Sequence, residues 1–183
     1  SDEDKAAKLA ATTSKDPNQL MRKGVMAFME AKIAESVKAF DAVIELAPEA
    51  KPQLWQRGLA LYYAGKYQEG IEQFETHQTA NSQDVENAAW HFLCVAKLKG
   101  IEEARKGLID ITGDTRVPMK EVQQLFAGKG SEDAVLAAAN VGEDSEKKNQ
   151  LCFGHLYLGL YYEAIVNDAK AKEHIRKAAV DYA

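Results

Sequence analysis

Residues recur along this chain at an interval of 34, and that interval constrains the fold more than any other feature. Gly24 and Gly58, Leu20 and Leu54, and Phe40 and Phe74 are each 34 apart. A small residue stands four before each phenylalanine, Ser36 and then Gly70. Another step of 34 reaches Ala104, with Leu108 four later, and Ala171 with Ile175 repeats the small-then-large pair 67 residues beyond Ala104. Self-similarity at about 20–50 residues marks an array of supersecondary units. Each unit is too small to bury its apolar face alone and does so by stacking on its neighbours.

The pattern predicts an all-α chain of about five helix hairpins in one domain, 17–183. The repeats fall near 17–50, 51–84, 85–117, 118–151 and 152–183, the fourth degenerate, and 1–16 is a tail or a frayed helix. Expected helices run 17–31, 33–46, 52–64, 67–79, 84–99, 101–112, 118–127, 131 to near 142, 147–166 and 168–182. Pro48, Gly65, Gly100, Gly113 and Gly128 punctuate them. Strand signals are missing: there is no sustained alternation and no Asn-Gly or Asp-Gly turn. The close crossings are expected where Gly24, Gly58 and Gly159 face Ser36, Gly70 and Ala171. Phe40 and Phe74 are expected between successive units.

A 34-residue period with small-x3-large in each unit, Pro48 closing the first, and Leu158-Gly159-x2-Tyr162 in the last resembles the tetratricopeptide repeat (TPR) family over 17–114 and 152–183. The stretches Trp55-Gln56-Arg57-Gly58, Trp90-His91-Phe92-Leu93-Cys94, Gly113 to Met119 and His155 to Tyr162 are similar to poorly characterised TPR proteins of bacteria and of plant and algal plastids. More distantly, the layout is similar to NlpI-like bacterial lipoproteins. The resemblance implies a right-handed helical solenoid and a non-enzymatic role as protein-binding scaffold or subunit of an assembly complex. It also implies a plastid (chloroplast) or bacterial extracytoplasmic setting.

Composition narrows the alternatives. At 46% apolar and 28% charged over 183 residues the chain is neither disordered nor fibrous. A net charge of −5 argues against a duplex nucleic-acid partner. The longest apolar stretches, Val135–Val141 and Leu156–Tyr162, fall short of the ~20 residues of a membrane span. Two cysteines allow one bridge at most, Cys94–Cys152, and no disulfide scaffold.

Catalytic motifs are missing: no G-x-S-x-G, no H-E-x-x-H, no C-x-x-C. Gly128-Lys129-Gly130-Ser131 lacks the first glycine and the strand of a phosphate loop, and reads as an interhelical link. No cofactor is expected. His91-x-x-Cys94 and Cys152-x-x-His155 present a soft and a borderline ligand one turn apart on two helices, which is zinc-ligand spacing. This metal-binding alternative stands against a packing role, because free cysteine behaves as a small buried hydrophobe. His77 and His174 read as surface or packing residues.

The first helix of each unit lines the inner face of a repeat array. Those positions are Met21, Val25, Phe28 and Met29 in the first unit and Trp55, Leu59, Tyr62 and Tyr63 in the second. Methionine and aromatic side chains are adaptable, large-area contacts. The basic and Asn residues that clamp a C-terminal carboxylate in chaperone-binding relatives are replaced by Met21, Val25 and Leu59. The expected partner is therefore an apolar protein or peptide segment. The competing reading is that later helices fold back and make these aromatics core.

Overall fold

The computed structural model describes residues 15–183, so the tail at 1–16 lies largely outside the described residues. These residues are helical, with no strand among them, and they pack as two compact units, one ending at Ala80 and the other beginning at Asn81.

The first unit is two helical hairpins, α1 (Pro17–Met29) with α2 (Ile33–Leu46) and α3 (Trp55–Tyr63) with α4 (Tyr67–His77), joined by a 3₁₀ segment at Pro48–Gln53. Asp16 starts α1 by accepting the Asn18 N–H at 2.9 Å, and Pro17 suits the first helical turn. The third helix begins at Trp55 rather than 52, because Pro48 and Pro52 hold the linker in the tighter spiral. Both hairpins turn through one left-handed residue, Ala31 at φ 57° and Gly65 at φ 73°. The next amide reaches back five residues in each case, Lys32 to Ala27 at 2.8 Å and Lys66 to Leu61 at 2.9 Å.

Leu20, Phe40, Val43 and Leu54 form one apolar cluster, with Met21 and Val25 packed at its margin. Val37, Ala60 and Leu61 form a second, with Phe28 against it. The crossings differ from expectation in one respect: the aromatic ring, not the small residue before it, occupies the space over each glycine. A β-carbon on Gly24 would stand 2.9 Å from the Phe40 ring, and one on Gly58 would overlap Phe74. Phe40 and Phe74 therefore pack first inside their own hairpins, and Phe40 also meets Leu54 of the next. Ser36 donates its hydroxyl to the Gly24 carbonyl at 2.8 Å, which ties the same crossing.

A buried polar strut runs through this unit. Arg57 donates from Nε to Asp41 at 2.8 Å and from a guanidinium NH₂ group to Gln73 at 3.1 Å, and Gln73 donates to the Lys51 carbonyl at 2.9 Å. His77 is buried and hydrogen-bonds the Pro52 carbonyl at 2.7 Å.

The second unit contains α5 (Val85–Lys99), α6 (Ile101–Lys106), α7 (Met119–Phe126), α8 (Glu132–Ala139), α9 (Asp144–Ala164) and α10 (Asp168–Arg176), closed by a π turn at Lys177–Asp181. The expected helix over 101–112 ends at Lys106, at Gly107. The chain from there to Pro118 is held by side chains instead. Gln123 donates to the Ile109 carbonyl at 2.9 Å, Gln83 accepts the Gly113 N–H at 2.7 Å, and Asp114 accepts the Val85 N–H at 3.1 Å. Arg116 then bridges Asp84, Glu86 and Asp114. Helix α9 begins three residues earlier than expected, where the Glu146 carboxylate accepts the Glu143 N–H at 3.0 Å.

Phe92, Phe126 and Tyr157 stack edge-on through the centre, and the Tyr157 hydroxyl donates to Glu86 at 2.6 Å. The α9–α10 hairpin repeats the first-unit geometry: Val166 turns it at φ 61°, and Ile175 fills the space over Gly159 at 2.7 Å from a β-carbon position. No helix among the described residues is long and apolar enough to cross a membrane.

Candidate functional site

Spacing places Met21, Val25, Phe28 and Met29 within one arc of α1, and Trp55, Leu59, Tyr62 and Tyr63 at the matching positions of α3. The structure sorts them by depth. Met29, Tyr63 and Trp55 are the most open, at 76%, 53% and 39% exposure. Met21, Val25, Phe28 and Leu59 are half-buried, the first two against the Leu20–Phe40 cluster. Tyr62 is only 5% exposed and packs edge-on against Tyr63 and Tyr67, so it belongs to the core rather than to a contact surface. Phe28 and Tyr63 meet with ring centroids 5.9 Å apart, which links the end of α1 to the end of α3.

Tyr63 also borders a groove that the sequence did not single out. It runs along α2, with a volume of about 690 Å³ and a floor of Ile33, Val37 and Ala42. Lys38 and Lys66 stand at its walls, as do Asp41 and Glu45 one and two turns further along α2. The volume is that of a typical ligand cleft, but the groove is open along its side and follows one helix. Its signal in the sequence was the pair Ile33 and Val37, one turn apart on α2 and off the Phe40 stripe that packs the hairpin.

The four residues of the metal alternative do not converge. Cys94 is fully buried in α5, and burial pushes its thiol up to about 12. Cys152 is half-buried on α9 and points its sulfur at the Ala178 carbonyl, 3.6 Å away. Both are free thiols. His91 is buried on α5, while His155 engages His174 on α10 instead, with Nδ1 atoms 2.8 Å apart. Among the described residues no three His, Cys, Asp or Glu side chains come together to hold a metal ion. His174, a surface or packing residue by sequence, is the partner that spacing alone does not reveal.

The chain matches no protein-family model, and no curated protein matches it at significant similarity.

Proposed function

We propose that this chain is a non-catalytic protein-interaction module that docks an apolar helical segment of a partner protein on its first unit. The observation that carries this reading is the run of exposed large apolar side chains at the ends of α1 and α3. It is continuous through Tyr63 with the groove floored by Ile33, Val37 and Ala42. Adjacent exposed apolar side chains that border a groove are a common form of recognition surface. The lining stretch of α2, 33 to 45, spans about 18 Å at a helical rise and matches roughly three turns of a partner helix. Lysine and carboxylate walls suit a helix whose apolar stripe is flanked by both charge signs. The TPR resemblance is consistent with such a role, and so is a place in a larger assembly.

The test uses a designed amphipathic peptide, Leu at i, i+3 and i+7 with Glu and Lys flanks, titrated against the full chain by calorimetry. Binding that falls at least tenfold in Tyr63→Ala and in Ile33→Asp, both shown folded by circular dichroism, supports the groove. Affinity unchanged in both variants rejects it. Because burial rather than charge supplies the affinity, binding should change little between 50 and 500 mM salt.

A further inference from the structure

We propose that the paired imidazoles of His155 and His174 form a proton-operated latch that holds α10 on α9 at neutral pH and releases it in acid. The two rings meet edge to edge, with Nδ1 atoms 2.8 Å apart, centroids 5.0 Å apart and planes 28° from parallel. They are 4% and 1% exposed. A centroid separation of 5.0 Å with 2.8 Å between nitrogens means the nitrogens point at each other along a line. Two imidazoles sharing a tetrahedral zinc hold their nitrogens about 3.3 Å apart with converging lone pairs. The contact is thus a hydrogen bond, and it requires one N–H and one lone pair.

The surroundings decide how many protons the pair can carry. His174 turns Nε2 toward Glu132 of α8 at 3.4 Å, so that nitrogen favours carrying hydrogen. Its Nδ1 then either accepts from His155 or, when His174 is charged, donates to it. The pair keeps its bond with zero or one excess proton. A second excess proton sets two N–H groups head to head in a dry site, and the bond is lost.

The neighbouring charges oppose that second proton. On α10, Lys170 is bound to Glu132 at 2.6 Å together with the Tyr162 hydroxyl of α9, so that carboxylate is already shared. Lys177 and Glu173 of the last turns are paired with each other at 2.8 Å. Tyr182 lies flat on His155, Tyr162 lies flat on His174, and Cys152, one turn before His155, is turned to Ala178. Burial, then the charges of His174 and Lys177, hold His155 down to about 4.

A histidine lowered from its ordinary 6.5 stabilises the hairpin fully above that value and loses its contribution as pH falls toward 4. Opening of the latch frees α10 from Gly159 and exposes the buried Ala171 and Ala178 faces. The C-terminal hairpin thereby becomes acid-responsive, while the aromatic stack of Phe92, Phe126 and Tyr157 contains no histidine.

Hydrogen exchange on the full chain tests this, corrected for the intrinsic pH dependence of exchange. The expected result is an opening equilibrium at 168–181 that rises about fortyfold in all from pH 6.5 to 4.5, with α5 amides unchanged. In His155→Gln the amide still donates to His174 but cannot take the second proton, and the rise should vanish. The proposal is overturned if wild-type protection at 168–181 is flat over that range, or if His155→Gln shows the same rise. Should that variant not fold, ¹⁵N spectra of the wild-type imidazoles decide. A His155 midpoint below 5 supports the latch and one at 5 or above overturns it.

Discussion

The ring of Phe74 lies against the α-carbon of Gly58 so closely that a β-carbon there would overlap it. The same relation joins Phe40 to Gly24 and Ile175 to Gly159, each pair sixteen residues apart. Gly58→Leu should therefore lower stability by about 3 kcal/mol or more, since a packed ring cannot yield to added volume. Lys66→Ala, in the exposed turn that follows α3, should stay within about 0.5 kcal/mol of wild type. Chemical denaturation of the two variants checks the assignment, and equal midpoints would refute it.

Depth separates the tyrosines of α3. Tyr62→Ala should cost about 3 kcal/mol of stability, in the range of buried aromatic truncation. Tyr63→Ala and Trp55→Ala should melt near the wild type yet lose peptide affinity, by about 2 kcal/mol where the side chain anchors the interface. A Tyr63→Ala variant that unfolds like Tyr62→Ala would place both rings in the core.

Glu132 supplies a second acid-sensitive contribution in a separate pH window. Burial alone would push its carboxyl up. Hydrogen bonds from Lys170 and Tyr162, aided by His174, outweigh burial and hold it at about 2. A depressed carboxyl stabilises the fold above its ordinary 4.5, and that contribution fades as pH falls through 2. In urea titrations, Glu132→Gln should lose about 2–3 kcal/mol at pH 7 and flatten the dependence between pH 4.5 and 2. An unchanged slope in that window would remove Glu132 from the acid response.

Cys94 should be inert in the native protein. Burial both blocks access and holds the thiol near 12, so almost no thiolate exists at pH 8. Alkylation with iodoacetamide at pH 8, followed by mass spectrometry, should modify at most one thiol per chain, at Cys152. Modification of Cys94 at a comparable rate would show that α5 opens readily.

Much of the helical layout was written in the sequence because the signals were local. Pro17, Gly65 and Gly100 mark ends by backbone chemistry, and the interval of 34 marks hairpins by repetition. The segment after Lys106 was misread because Leu108 sits four after Ala104, mimicking a helical stripe. Its true conformation is imposed by distant partners, Gln83, Val85 and Gln123. The apolar positions of α1 and α3 were also legible, but not their depth. Tyr62 and Tyr63 are adjacent and chemically identical, and their depth is set by tertiary packing, such as that of Tyr67 on Tyr62, which spacing does not encode. The His155–His174 contact joins two helices across nineteen residues and has no signature in spacing alone.

The left-handed residues at the hairpin turns bear on what holds each turn closed. Gly65 takes its conformation without a steric penalty, so the turn between α3 and α4 can close as soon as the two helices flicker into existence. Ala31 and Val166 carry β-carbons, and the left-handed region costs such residues about 1–2 kcal/mol. That cost is offset by the packing of the helices on either side, through Phe40 on Gly24 and Ile175 on Gly159. In the first unit the two hairpins thus differ in what holds their turns: glycine freedom between α3 and α4, and the packing of Phe40 on Gly24 between α1 and α2.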